Sequence, residues 1–430
     1  MKCGFIFRRD LRLYDNTGLV EASYDCDEII PLFIVDPRQM LHNNYKSEFA
    51  SSFMINSLVE LDAELRDKWG AKLNIFFGNA EEVIKKLDVD AIYVNEDYTP
   101  FALERDEKMK ENALSRGIKF LSFTDVLLTT KNIKPSKSFS AFYKKAIQYK
   151  VREPRDIRDG VNFTVIKDSL DVEFLKSFKK TESPLLKGGR SEGLKLLERK
   201  VDFKRRDFPA ERNYTMLSPH LKFGTISIRE AYYKKRDDQA FIRELYWRDF
   251  YTLLAFYNPY VFGHCYKREY DGINWESNEE YFEAWKNGRT GYPIVDAAMR
   301  SLNSTGFING RLRMIVAFFL TKVLFIDWRW GERYFASKLI DYDPAINNGN
   351  WQWVASTGTD YIFRVFDPWK QQEKFDPDAK FIKEWVEELR DYPPSIIHKV
   401  YEYNIPTYPK PIVDWRERVE YVKRVFSFEQ

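Results

Sequence analysis

The run Cys3-Gly4-Phe5-Ile6-Phe7, broken at once by Arg8-Arg9-Asp10, sets the reading of the N-terminal third. Five apolar or small residues closed by charges fit a strand buried on both faces. Four similar runs follow: Glu28 to Val35, stopped near Pro37; Leu73 to Phe77, closed by Gly78; Ala91 to Val94; and Lys119 to Leu121. Amphipathic segments lie between them. Ser47 to Trp69 carries Phe49, Phe53, Leu58, Leu61 and Leu65 near helical spacing, and Phe101 to Leu114 is charged on one face. Strands alternating with helices predict a parallel sheet covered on both faces, an α/β domain over 1–125. Ligands of such sheets bind outside the carboxyl ends of the strands, where Arg8, Asp10 and Asp36 fall. Loop capping and solubility explain those three residues better than a pocket for a second ligand does. Neither a G-x-G-x-x-G nor a Walker loop is present, which argues against a dehydrogenase or P-loop enzyme.

The alternation stops over 126–175, read as a connection with one short aromatic helix near Phe139 to Tyr149. From 176 to 430 the period is helical. Phe241 to Tyr257 is aromatic all round, Pro293 opens a helix that ends near Gly306, and Arg311 to Leu324 and Gly331 to Leu339 follow. Loops between these helices hold Arg313, Asp341 and Asp343, close in sequence to Trp275, Trp328, Trp351 and Trp353. Buried charges must pair, so an Arg313–Asp341 bridge is expected, with Asp343 left to take hydrogen bonds from a polar ligand. The tryptophans fill a core, relay electrons or stack on planar ligands. Glu244, Trp247 and Arg248 share one helix face at spacings of three and four.

Composition narrows the class. Sixty-eight Lys+Arg against 65 Asp+Glu leave a net charge of +3, so any nucleic acid must meet a local basic face. Cys3, Cys26 and Cys265 lie far apart, arguing against a disulfide framework, an iron–sulfur cluster or a cysteine zinc site. His42, His220, His264 and His398 are scattered, as ordinary partly exposed histidines are. No apolar run is long enough to span a bilayer, and the start reads straight into a strand rather than a signal peptide. A cytoplasmic monomer without a metal is the expectation.

Longer ordered segments carry a resemblance. Phe7-Arg8-Arg9-Asp10-Leu11-Arg12-Leu13-Tyr14-Asp15-Asn16, Thr215-Met216-Leu217-Ser218-Pro219 and Glu244-Leu245-Tyr246-Trp247-Arg248-Asp249-Phe250-Tyr251 stand in order. Gly291-Tyr292-Pro293-Ile294-Val295-Asp296-Ala297-Ala298-Met299-Arg300 and Trp351-Gln352-Trp353-Val354-Ala355-Ser356-Thr357-Gly358 follow. Over nearly its whole length the chain resembles the DNA photolyase/cryptochrome family, nearest the class I cyclobutane pyrimidine dimer photolyases. Phe241 stands where many relatives have Trp, Gly310 where many have Asn, with Asn309 just before it. The Tyr common ahead of the Arg-Asp segment falls at Asp202 or Phe203.

The resemblance implies a Rossmann-like N-terminal domain and an all-α domain that binds FAD. It implies that Thr215, Met216, Leu217 and Ser218 hold the pyrophosphate region. Phe241, Glu244, Arg248, the Arg313–Asp341 pair, Tyr342, Asp343 and Asn347 complete the flavin site, Asn347 facing the reactive nitrogen. Reduced FAD excited by light then donates an electron to a flipped pyrimidine dimer. Glu244 hydrogen-bonds the bases, Trp247 and Trp353 stack on them, and Met314 lies beneath. Arg206, Arg311, Arg364 and Gln371 hold the backbone of UV-damaged DNA. Trp351, Trp328 and Trp275 match an electron chain to the surface. Arg8, Asp10 and Asp36 mark the place of a second, light-harvesting chromophore: a flavin, a deazaflavin or a folate. A cryptochrome and a (6-4) photolyase are the alternatives. Met314 stands where (6-4) enzymes have His, Asn347 where cryptochromes often carry Asp or Cys, and no long tail follows the last helix before Gln430.

Overall fold

A computed structural model describes residues 1–41 and 43–428, so His42 and the chain end at Gln430 lie outside the described residues. Five parallel strands form where the apolar runs stand: β1 (Lys2–Phe7), β2 (Glu28–Val35), β3 (Asn74–Phe77), β4 (Ala91–Asn95) and β5 (Lys119–Phe123). Their order is β3-β2-β1-β4-β5. Register pairs Phe5 with Pro31 on one side of β1 and with Tyr93 on the other. Strand order reverses at β1, so the carboxyl ends of β1 and β4 flank the crevice that such sheets offer a ligand.

One face of the sheet buries Ile6, Ile30, Leu32, Ile92 and Val94 against Ile84, Leu87 and Met109. Each such side chain contributes about 1.5–3 kcal/mol of burial. The long helix between β2 and β3 spans Glu48–Trp69. Ser47 caps its start by accepting from Ala50 N, and Gly70 ends it. Segment 126–175 also touches the sheet: Thr164 N donates to Ile29 O and Leu170 N to Ile75 O, both at 2.9 Å.

Packing divides the described chain into two compact units, a division distinct from that between sheet and helices. The first holds Met1–Arg199, Thr215–Pro259 and Ile340–Ala345; the second holds Lys200–Tyr214, Tyr260–Leu339 and Ile346–Gln430. In the first, Arg12, Asp15, Asp125 and Arg229 are all buried and mutually paired, with Arg12–Asp125 at 2.9 Å and Arg229–Asp15 at 2.8 Å. Two cations against two anions satisfy the rule that buried charge must be compensated. In the second, Asp296 lies inside the helix Pro293–Thr305. It accepts from Thr290 N and Oγ1, both at 2.7 Å, from Gly291 N, and from the Tyr408 hydroxyl. The expected helix over 311–324 is an α-helix, Gly310–Phe318, followed by one π turn, Phe319–Val323.

Two expectations need correction. Cys3 and Cys26 form a disulfide, leaving Cys265 free and buried. Spacing along the chain misled here, because the helix Thr17–Asp25 doubles back beside β1 and brings its C-cap to the first strand. His220 is not partly exposed: it is fully buried, Nδ1 sits 2.8 Å from Thr225 Oγ1, and burial pushes its pKa down to about 4. Among the described residues no helix is long and apolar enough to cross a membrane, and no cluster of His, Cys, Asp and Glu could hold a metal.

Candidate functional site

Several expected site residues lie in the first unit. Met216 adopts φ +56°, a left-handed conformation that a non-glycine residue holds only when its surroundings enforce it. Ser218 begins a one-turn helix, and its Oγ donates to Asp341 Oδ2 at 2.6 Å. Asp343 accepts through Oδ2 from Arg9 Nη2 at 2.5 Å and through Oδ1 from Ala345 N at 3.0 Å. The helix Gln239–Tyr257 presents Glu244, Trp247 and Arg248, with Phe241 buried one turn earlier. Arg248 Nη2 donates to Leu221 O at 3.2 Å, while its Nη1, shut off from solvent, has no hydrogen-bond partner. An orphaned guanidinium donor costs about 1–3 kcal/mol unless a ligand completes it. Trp247 stacks on Phe139 with ring centroids 3.7 Å apart and planes 6° from parallel, so one indole face is covered. Asp249, wholly buried, accepts from Leu128 N, Thr129 N and Thr129 Oγ1.

At the strand ends, Arg8 Nη1 pairs with Asp106, and Asp10 accepts from Arg8 N at 2.7 Å and Asn95 Nδ2 at 2.6 Å. Asp36 caps the turn Pro37–Met40 and pairs with Arg38. Burial raises the Asp10 pKa to about 6, whereas the Asp36 carboxyl, opposed by burial, is held low by its bonds to Arg38. These acids brace the loops they stand in.

The others lie in the second unit. Arg313 Nε donates to Ile308 O at 2.8 Å, and its guanidinium lies over the Phe307 ring. Met314 follows it, half-buried. Asn347 Nδ2 donates to Glu332 O at 3.0 Å and Asn348 Nδ2 to Glu332 Oε2 at 3.2 Å. Trp351 and Trp328 are buried, and Trp275 packs on Phe325. Trp351 meets Trp285 edge to face at 6.1 Å. Gly331 lies against the same indole: a Cβ there would stand 2.2 Å from a Trp351 ring carbon. Trp353 is covered by the Arg364 guanidinium at 3.4 Å. Arg311 reaches Asp207 at 2.8 Å and Gln371 at 3.4 Å, and Asn309 Nδ2 donates to Arg206 O at 3.0 Å, so three of the four expected backbone contacts share one surface.

Three residues went unnoticed in the sequence. Glu332 is a buried carboxyl whose pKa burial raises to about 8. Lys322 is completely buried, its Nζ donating to Ser356 Oγ at 2.6 Å and Arg364 O at 2.7 Å, and burial drives its pKa well down. A lysine inside an apolar run was a readable signal. Arg9 was hidden behind its neighbours Arg8 and Asp10.

The comparisons with known proteins agree from end to end. The family model for DNA photolyase matches residues 4–156, and that for the FAD binding domain of DNA photolyase matches 241–427. A deoxyribodipyrimidine photo-lyase of Halobacterium salinarum is 35% identical, the match covering 97% of each chain. The crystal structure of an archaeal photolyase from Sulfolobus tokodaii with two FAD molecules is 66% identical, with a TM-score of 0.98 over 100% of both chains. A Synechocystis cryptochrome shares the fold at a TM-score of 0.88, with 26% identity and 99% coverage of each chain. With an α/β sheet, a helical remainder and full-length relatives of this kind, the chain belongs to the DNA photolyase family.

Proposed function

We propose that the protein binds FAD and splits cyclobutane pyrimidine dimers in UV-damaged DNA under light. The observation that carries this reading is the 35% identity, over 97% of both chains, with an enzyme named for that reaction. The residues fit the cofactor. Arg248 keeps a buried donor without a partner, as suits an anionic or carbonyl-rich ligand, and at the strained turn of Met216 the Thr215 hydroxyl accepts from Leu217 N at 3.4 Å. Thr215 to Ser218 hold the pyrophosphate, and Phe241, Glu244, Arg248, Arg313, Asp341, Tyr342, Asp343 and Asn347 hold the rest. When bound and reduced, FAD supplies on excitation the electron that opens the dimer.

The protein's part is orientation. The Asn347 amide, fixed by its bond to Glu332 O, offers the flavin a neutral partner with no acidic proton. Glu244 hydrogen-bonds the flipped bases, and Trp247 and Trp353 stack on them, each backed on one face by Phe139 or Arg364. Met314 beneath the lesion cannot donate a proton, which favours the cyclobutane dimer over the (6-4) product. Arg206, Arg311 and Arg364 neutralise the phosphates and, with the Gln371 amide, position the DNA backbone. A second chromophore also fits the family, and flavin is preferred among the three classes because the S. tokodaii relative holds two FAD molecules. A cytoplasmic monomer belongs to the same reading, and nothing in the proposed chemistry needs more than one copy.

The test is a thymine-dimer oligonucleotide illuminated with blue light, beside a dark control. Light-dependent restoration of the two thymines is expected, reduced at least tenfold in Glu244→Ala and Trp353→Ala. Reduced, FAD-loaded protein that leaves the dimer intact would hand the reading to a cryptochrome.

A further inference from the structure

Arg9 leaves the carboxyl end of β1 beside the β4 end, at the point where strand order reverses. Its backbone runs against Gly224, where an added Cβ would stand 2.1 Å from Arg9 O, so only glycine at 224 lets the two backbones meet this closely. Its side chain is 14% exposed and divides its donors. Nη1 reaches Asp97 Oδ1 at 3.0 Å, Nη2 reaches Asp343 Oδ2 at 2.5 Å, and Nε reaches Lys222 O at 3.4 Å. Asp343 is 5% exposed, and two further cations, Lys222 and Arg248, act on its charge. Burying such a group is costly unless the arrangement fixes something. A fork held at one end by Asp97 fixes the Asp343 carboxylate at the other, because a guanidinium binds in defined directions that a flexible ammonium does not impose.

We propose that Arg9 is a positioning residue for the flavin: by fixing the rotamer and charge of Asp343 from the sheet end, it sets the reduction potential of bound FAD. This rests on the reading that Asp343 contacts the flavin. With the Arg9 cation removed, the Asp343 carboxylate opposes more strongly the gain of negative charge on reduction, so loss of Arg9 lowers the potential. A residue acting through Asp343 loses that influence once Asp343 is neutral.

The experiment is a spectroelectrochemical titration of the FAD-loaded protein, with FAD affinity measured alongside, for Arg9→Gln, Asp343→Asn and the double variant. Arg9→Gln is expected to shift the oxidised-to-reduced ratio at fixed potential at least tenfold toward oxidised, about 30 mV for a two-electron couple. In the Asp343→Asn background the same substitution is expected to shift it less than threefold. An unchanged potential in Arg9→Gln, or an equal shift in both backgrounds, overturns the inference. If Asp343→Asn alone changes neither potential nor FAD affinity, the flavin reading of Asp343 fails, and the Arg9 role falls with it. Should Arg9→Gln not fold, Arg9→Lys replaces it: a shift in the same direction supports the fork, and the parent potential overturns it.

Discussion

Trp328 and Glu332 show how much a single buried side chain decides. Trp328→Phe removes the oxidisable indole from the middle of the expected chain without opening a large cavity. Photoreduction of oxidised FAD should fall at least tenfold in that variant while repair by chemically reduced enzyme is kept, as transient absorption and the oligonucleotide assay would report. Glu332 makes an opposite kind of claim, on stability. Its folded pKa, about 8, lies above its ordinary 4.5, so its contribution is fully present below pH 4.5 and is lost as pH rises through 8. Glu332→Gln, which has no charge to bury, should not show that loss. The variant should gain on the parent between pH 5 and 8.5, by about 3–5 kcal/mol at the upper end, measured by urea unfolding. Neither Glu332 nor Arg9 announced itself in the sequence, since their partners Asn348 and Asp343 lie 16 and 334 positions away.

Secondary elements were far more legible. The five apolar runs became the five strands, those of β1, β2 and β4 almost wholly buried and that of β5 at the edge with no buried residue, and Ser47 and Pro293 start helices by local chemistry alone. Arg311 to Leu324 was legible as helix but not as a helix with a π turn, whose extra residue no period reveals. The hairpin of β1 and its following helix hid the Cys3–Cys26 bond for the same reason: the pairing depends on where the helix lands. That bond closes a loop of 23 residues' separation, worth about 3 kcal/mol by chain entropy. Cys3→Ser/Cys26→Ser is therefore expected to melt several degrees lower than the oxidised parent and at the same temperature as the reduced parent, by calorimetry with and without reductant.

For the whole molecule, pH acts through His220 as well. Its folded pKa, about 4, lies below its ordinary 6.5, so its contribution is present above pH 6.5 and is lost as pH falls through 4. Acid unfolding of the parent should outpace that of His220→Gln by up to about 3 kcal/mol across that window, and between pH 4.5 and 6.5 this loss opposes the Glu332 term. The family was legible in full, because long ordered segments survive divergence, whereas the bracing around each motif was not. Phe139 behind Trp247, Arg364 over Trp353 and Lys322 beneath the Ser356–Arg364 segment are long-range partners without a motif of their own. Their spacing follows from tertiary packing, which a single sequence does not display.

The close approach of Gly331 to the Trp351 ring has a consequence for how this protein can evolve. Every single-nucleotide change that alters a glycine codon installs a side chain or a stop. At Gly331 any side chain meets an indole at 2.2 Å, so a saturation library should return glycine at this position almost exclusively under selection for light-driven repair.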